Sequence, residues 1–501
     1  MKKLLALLAF SGLFFVSCSD DDTVTDPGGG TPEPPIEYTS GSADLSTYVA
    51  LGNSVTAGLS DQALFIEGQE ASFPNMLASS FAEAGGGDFT IPFMADNLGG
   101  MTVLGNQLFD NRLYLDFSTG SPLPTPVSGT PATEATNKLS GPFNNMGVPG
   151  AKSYHLPFQG YGSLAGLQVE AANPFFVRFS SGETASILGD ALAQSPSFFT
   201  LWIGNNDVLG YATSGGTGVD QTGNIDASTY RSNDISDPRV VGGSISLILE
   251  QLTGAGAKGV IANIPNVTKI PFFTTVPHNP IPLDEATAAF LNGPDNYGRY
   301  NAGLGQLQAA GLISAEEVAR RTISFSAGEG NAVVILDEDL TDLSAFGLDN
   351  LRQATADDLL VFTSQTVIGT LADPNNPASV IGVGVPLEDR WVLTPEEQQA
   401  VIAATTTYNA TIEALAQKYD MAFVDIDAFY TQVESEGVPL ADGSVVTATY
   451  ATGGGFSLDG IHPSPRGSAL IANEFIKAIE AKYGATLPKV DPLAYTGVYI
   501  N

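Results

Sequence analysis

Tyr48-Val49-Ala50-Leu51-Gly52-Asn53-Ser54-Val55-Thr56-Ala57-Gly58 runs from a short apolar strand through a turn into a helical start. An uninterrupted apolar run closed by Gly fits a strand buried on both faces, the kind found in parallel sheets between helical layers. Ser54 then falls just past the carboxyl end of that strand, flanked by small residues. Ligands bind there in open α/β sheets, and backbone N–H groups there can face a developing oxyanion. Taken alone, a Ser in this position is more often a plain helix-entry residue.

The same alternation continues outward. Pro74 to Ala84 reads as a helix with Pro near its start and Gly85-Gly86-Gly87 at its end. Phe198 to Ile203 and Gly259 to Ile264 are buried strands on either side of an apolar helix, Ser244 to Leu252. Thr394-Pro395-Glu396-Glu397 is a capping box opening a helix whose Tyr408, Ile412, Leu415, Ala416 and Tyr419 share a face. Met421 to Ile426 is a further strand, and Ser464-Pro465 starts a last helix with Ile471, Phe475 and Ile479. Strands alternating with helices specify an α/β fold with a parallel sheet covered on both sides.

Composition limits the function classes. Apolar residues make up 43% of the 501, enough for a large core. Lys+Arg 20 against Asp+Glu 54 gives a net charge of −34, which argues against nucleic acid or an anionic membrane surface as a partner. One cysteine rules out a disulfide scaffold, a Cys-based zinc site and an iron–sulfur cluster. The scattered acids show no calcium-loop spacing, so neither metal nor cofactor is expected.

Chemistry-bearing residues recur at strand ends. The chain holds three histidines, His155, His278 and His462. His462 stands in Asp459-Gly460-Ile461-His462-Pro463, where an acid three residues earlier can orient the imidazole. Asn145-Met146-Gly147-Val148-Pro149-Gly150 is a Gly-rich loop with a free N–H at Gly150, and Gly204-Asn205-Asn206-Asp207 directly follows a buried strand. His278 and His155 read as loop or surface histidines, with His155 near enough to Gly150 to border a pocket.

In order, Gly-x-Ser, Asn-x-Gly-x-x-Gly, Gly-x-Asn-Asp and Asp-x-x-His-Pro resemble the four blocks of the SGNH, or GDSL-type, hydrolases, and Ser72 to Ala78 is also similar to that family. The resemblance implies a three-layer α/β/α, flavodoxin-like fold with Ser54 as nucleophile, His462 as general base and Asp459 orienting it. The oxyanion hole it implies is the Ser54 and Gly150 backbone amides with the Asn206 side chain. Asn53 departs from the family's usual Asp, which leaves the same turn bonds open without the charge. The expected activity is carboxylic ester hydrolysis, on a small-molecule, lipid or acetylated-glycan ester. The alternative is a surface lipoprotein that binds glycans or lipids without catalysis.

About 250 residues separate Asn206 from Asp459, far more than a βα unit needs. Leu209 to Asp237 reads as a long loop near the site. Within 277–391, Ser314-Ala315-Glu316-Glu317 reads as a capping box, and Thr322–Phe325 with Ala332–Leu336 as a hairpin around Gly328-Glu329-Gly330. This segment is expected to be either a lid over the acyl pocket or a peripheral decoration.

At the amino end, Lys2-Lys3 and the apolar run Leu4 to Val16 fit a signal peptide and are too short to span about 30 Å of hydrocarbon. Phe15-Val16-Ser17-Cys18 resembles a bacterial lipobox, which implies residues 1–17 are removed and Cys18 is acylated. The run Ser19-Asp20-Asp21-Asp22 resembles the acidic export tag of some outer-membrane lipoproteins. Residues 18–42 read as a tether and 43–490 as the hydrolase domain. The membrane is thus an expected partner, through the lipid anchor.

Overall fold

A computed structural model of the chain describes residues 36–118 and 122–500. Residues 1–17, Cys18 and most of the expected tether lie outside them. Among the described residues no helix is long and apolar enough to cross a membrane.

Five strands form one wholly parallel sheet: β1 (Tyr48–Gly52), β2 (Asn145–Gly147), β3 (Phe198–Trp202), β4 (Lys258–Ala262) and β5 (Ala422–Val424). Their spatial order is β2-β1-β3-β4-β5, which is the flavodoxin-like order. All residues of β1 and β3 are buried, as uninterrupted apolar strands require when helices cover both faces. Each such large side chain stabilises the fold by about 1.5–3 kcal/mol through area removed from water.

The helices that matter for the site are α1 (Ser54–Ala57), α2 (Phe73–Ala82), α3 (Asn206–Thr213), α4 (Pro238–Gly254), α5 (Pro395–Lys418) and α6 (Pro465–Tyr483). α2 and α6 pack together on one face of the sheet, and α4 and α5 on the other, giving three layers. On the first face Phe73 stacks on Phe475 with ring centroids 4.8 Å apart and meets Trp202 edge-on. Both signals at the start of α5 act as read: Thr394 and Glu397 form a reciprocal capping box, with Pro395 at the first helical position. α4 begins six residues earlier than its apolar pattern suggests. Asp237 accepts from the Arg239 N–H as N-cap and Pro238 occupies the first turn, so Gly242 and Gly243 are carried inside the helix.

Segment 277–391 gathers its own core around Ile281, Leu304, Ile323, Phe325, Val333 and Leu387. The expected hairpin does not form. Gly328–Asn331 pairs instead with Ile281–Leu283, and Val334–Leu336 with Leu351–Gln353. The backbone of Ile323 and Phe325 is satisfied by side chains: Asn301 donates to and accepts from the first, Asn292 the second. Two asparagines thus replace a strand partner. Ser314 caps its helix by accepting from the Glu317 N–H, but the Glu317 carboxylate turns away to Arg321 and Thr341, so only half of that capping box exists.

Candidate active site

Gly52 of β1 lies level with Gly147 of β2 on one side and Trp202 of β3 on the other. Ser54, Gly150 and Asn206 follow that rung by two, three and four residues, so strand register alone brings the three turns to one edge. This edge is where the strand order reverses, the position at which open α/β sheets bind ligands. Gly147 permits the close approach, because a Cβ there would stand 2.3 Å from the Ala57 nitrogen. Gly150 has φ +78, a conformation an L side chain resists.

His462 and Asp459 arrive from the opposite end of the chain, on the turn before α6. Asp459 Oδ2 accepts from His462 Nδ1 at 2.9 Å, leaving His462 Nε2 to accept from Ser54 Oγ at 2.8 Å. Asp459 is buried, and its remaining lone pairs are filled by the Gln62, Ile461 and His462 N–H groups and the Ser457 hydroxyl. Burial pushes this carboxyl upward, but the His462 charge and these hydrogen bonds overcome it and hold it at about 2.

Sequence reasoning missed what holds Asp459. The buried Asp61 accepts from the Leu458 N–H at 2.9 Å, while its own N–H donates to Ser457 Oγ at 3.0 Å. Asp61 and Gln62 both have positive φ, 50 and 72, a strained pair that the contacts to residues 457–459 hold in place. Burial, followed by the Asp459 charge, pushes Asp61 to about 7 despite the Leu458 hydrogen bond. The unusual Asp-Gln αL turn has no local sequence signature, since neither residue is Gly or Asn.

Opposite the hydroxyl stand three candidate donors. The Ser54 and Gly150 backbone N–H groups bond to nothing among the described residues. Asn206 Nδ2 donates to Ala151 O at 2.9 Å, which ties it to the Gly150 loop and leaves its second N–H unused. Asp207 reinforces the tie by accepting from the Ser153 N–H and hydroxyl at 2.8 and 3.0 Å. Asn53 is buried and its Oδ1 accepts from the Val55 N–H, the turn bond expected of it.

Two cavities meet at this edge. One of about 30 Å³ touches Ser54, His462, Asn205, Asn206, Ile270 and Tyr430. The other, about 1160 Å³, opens past Gly150 and Asn206 and is walled by Tyr154, His155, Tyr161 and Tyr230. His155 therefore borders the pocket. Its Nδ1 accepts from the Lys152 N–H, and burial, then Lys152, depresses its pKa to about 3, so it is neutral. His278 lines neither cavity. Neither is lined by any residue of segment 277–391; the larger is walled mainly by residues 150–171 and 206–233, so part of the expected Leu209–Asp237 loop flanks the site, although Leu209 to Thr213 is helical and belongs to α3.

No family model matches the chain, and no curated protein does. Several solved structures are similar to it. A catalytic mutant of the acetylxylan esterase Axe2 from Geobacillus stearothermophilus is 11% identical, with 89% of this chain and 96% of that chain covered at a TM-score of 0.30. A GDSL-like lipase from Parabacteroides merdae is 11% identical, with 89% and 100% covered at a TM-score of 0.30. An extracellular lipase from Streptomyces rimosus is 12% identical, with 87% and 99% covered at a TM-score of 0.28.

Proposed function

We propose that this chain is a carboxylic ester hydrolase of the SGNH type, working through an acyl-enzyme on Ser54. The observation that carries this reading is the unbroken hydrogen-bond chain Ser54–His462–Asp459, joining residues 408 apart in sequence. His462 Nε2 takes the hydroxyl proton as Ser54 Oγ attacks the ester carbonyl, and Asp459 stabilises the imidazolium. The Ser54 and Gly150 N–H groups and the free Asn206 amide hydrogen hold the oxyanion. His462 returns the proton to the leaving alcohol, and water then releases the acid by the same route.

The two cavity sizes favour a short acyl group on a bulky alcohol. About 30 Å³ beside Ser54 has room for only two or three small atoms, whereas about 1160 Å³ beyond Gly150, walled by tyrosines, suits an extended polar partner such as a glycan. The protein itself we place at the outer membrane, held by acylated Cys18. A fluorophosphonate probe should label Ser54 alone, and ester turnover should fall as the acyl chain lengthens from acetyl. Hydrolysis with no label at Ser54 sinks the nucleophile; preference for long acyl chains sinks the substrate reading. Palmitate incorporation that survives Cys18→Ala removes the anchor.

A further inference from the structure

Away from the catalytic edge, three carboxylates converge where segment 277–391 meets the start of α5. One oxygen each from Glu338, Asp389 and Glu397 lies within 4.8 Å of the other two. No ion pair or hydrogen bond to a cationic side chain reaches any of them among the described residues, because the nearby arginines are committed elsewhere. Arg320 holds Asp337 and Glu396, and Arg390 holds Glu388.

A crowd of acids is common, but this one has an orphan at its centre. Glu397 is 5% exposed. Its Oε2 is used up by the capping box, accepting from the Thr394 N–H and hydroxyl, while Oε1 is sealed from solvent with no donor at all. Asp389 Oδ1 is likewise buried and unpartnered. While all three are ionised, their oxygens can only accept, so in that state none can satisfy another. The backbone crowds in from the other side. A Cβ on Gly216, two residues past the Ser214 end-cap of α3, would overlap Glu397 Oε1 at 1.6 Å.

We propose that Glu338, Asp389 and Glu397 are ligands of a calcium ion that ties segment 277–391 to α5. The donor set is all oxygen, with no His or Cys, which selects a hard cation. Oxygens that all lie within 4.8 Å of one another can share an ion at the Ca–O distance of about 2.4 Å, and the irregular, partly solvent-filled set suits calcium better than the strict octahedron magnesium demands. Glu338 is exposed, so water completes the coordination on that side. The three ligands are spread over about 60 residues, which is why no calcium-loop spacing is visible in the sequence.

The test is calorimetric titration and thermal unfolding of the full chain after chelator treatment and dialysis. Calcium should bind with a stoichiometry of one and raise Tm by roughly 3 °C at a hundredfold excess over its dissociation constant. Glu338→Gln combined with Asp389→Asn should abolish both responses yet melt no lower than the stripped wild type, since it removes the repulsion along with the ligands. Should that variant fold poorly, Glu338→Gln alone, at an exposed position, should weaken calcium at least about tenfold. Absence of binding heat and of a Tm shift up to about 1 mM calcium, the weak end of protein sites, overturns the proposal. So does an undiminished response in the double variant. An equal response to magnesium overturns the calcium assignment.

Discussion

The catalytic edge and segment 277–391 handle buried charge in opposite ways. At the edge, the one fully committed acid, Asp459, is surrounded by N–H and O–H donors and one imidazole, and every lone pair has a partner. In the insertion, Arg352 is sealed in with Asp337 and Asp358 by charge pairing, while at its junction with α5 Glu338, Asp389 and Glu397 stand with no ion-pair partner among the described residues. The first arrangement holds a geometry; the second holds two parts of the chain together. Disturbing one should cost turnover and disturbing the other should cost stability, and substitutions can separate the two.

The largest effect short of removing the nucleophile or base is expected at Asp459. Asp459→Asn should lower kcat by about 10⁴-fold with little loss of stability, because the imidazole loses its orienting acceptor. The acid limb of the wild-type pH–rate profile should not follow Asp459, whose carboxyl is held at about 2. Next comes Asn206→Ala, with kcat down roughly 10²–10³-fold and KM nearly constant in steady-state kinetics. An unchanged kcat would remove Asn206 from the oxyanion hole.

Arg352→Leu should do the reverse. It strands Asp358 and weakens the hold on Asp337, so denaturant unfolding should lose about 3–5 kcal/mol while kcat at 25 °C stays put. A parallel fall in kcat would show that the insertion reaches the site after all. At Asp61 the effect on stability should depend on pH. Burial raises its folded pKa to about 7, above the unfolded value of about 3.9, so its contribution to stability is lost as pH rises between those values. Asp61→Asn keeps an acceptor for the Leu458 N–H and should therefore melt above wild type at pH 8, with the gap closing by pH 4. A constant gap across that range would mean Asp61 does not titrate there.

The same contrast explains what could be read in advance. Ser54, Gly150, Asn206 and His462 each follow or precede an element whose strand or helix pattern is local, and parallel register then assembles them. Gly52, Gly147 and Trp202 on one rung carry no more information than the apolar runs themselves. The insertion is built from contacts that no window of residues contains. Asn301 and Asn292 satisfying Ile323 and Phe325, or Gly328–Asn331 pairing some 50 residues back to Ile281–Leu283, depend on tertiary placement. Asp61 escaped notice for a related reason, since its partners Ser457 and Leu458 lie 396 and 397 residues away.

The central claim is that Ser54 and His462 act as one unit, and a double-mutant comparison of kcat tests it most directly. Ser54→Ala and His462→Ala should each remove about 10⁶-fold of turnover on an acetyl ester, and the double variant should be scarcely worse than either. Penalties that multiply in the double variant, or normal turnover by Ser54→Ala, would contradict it.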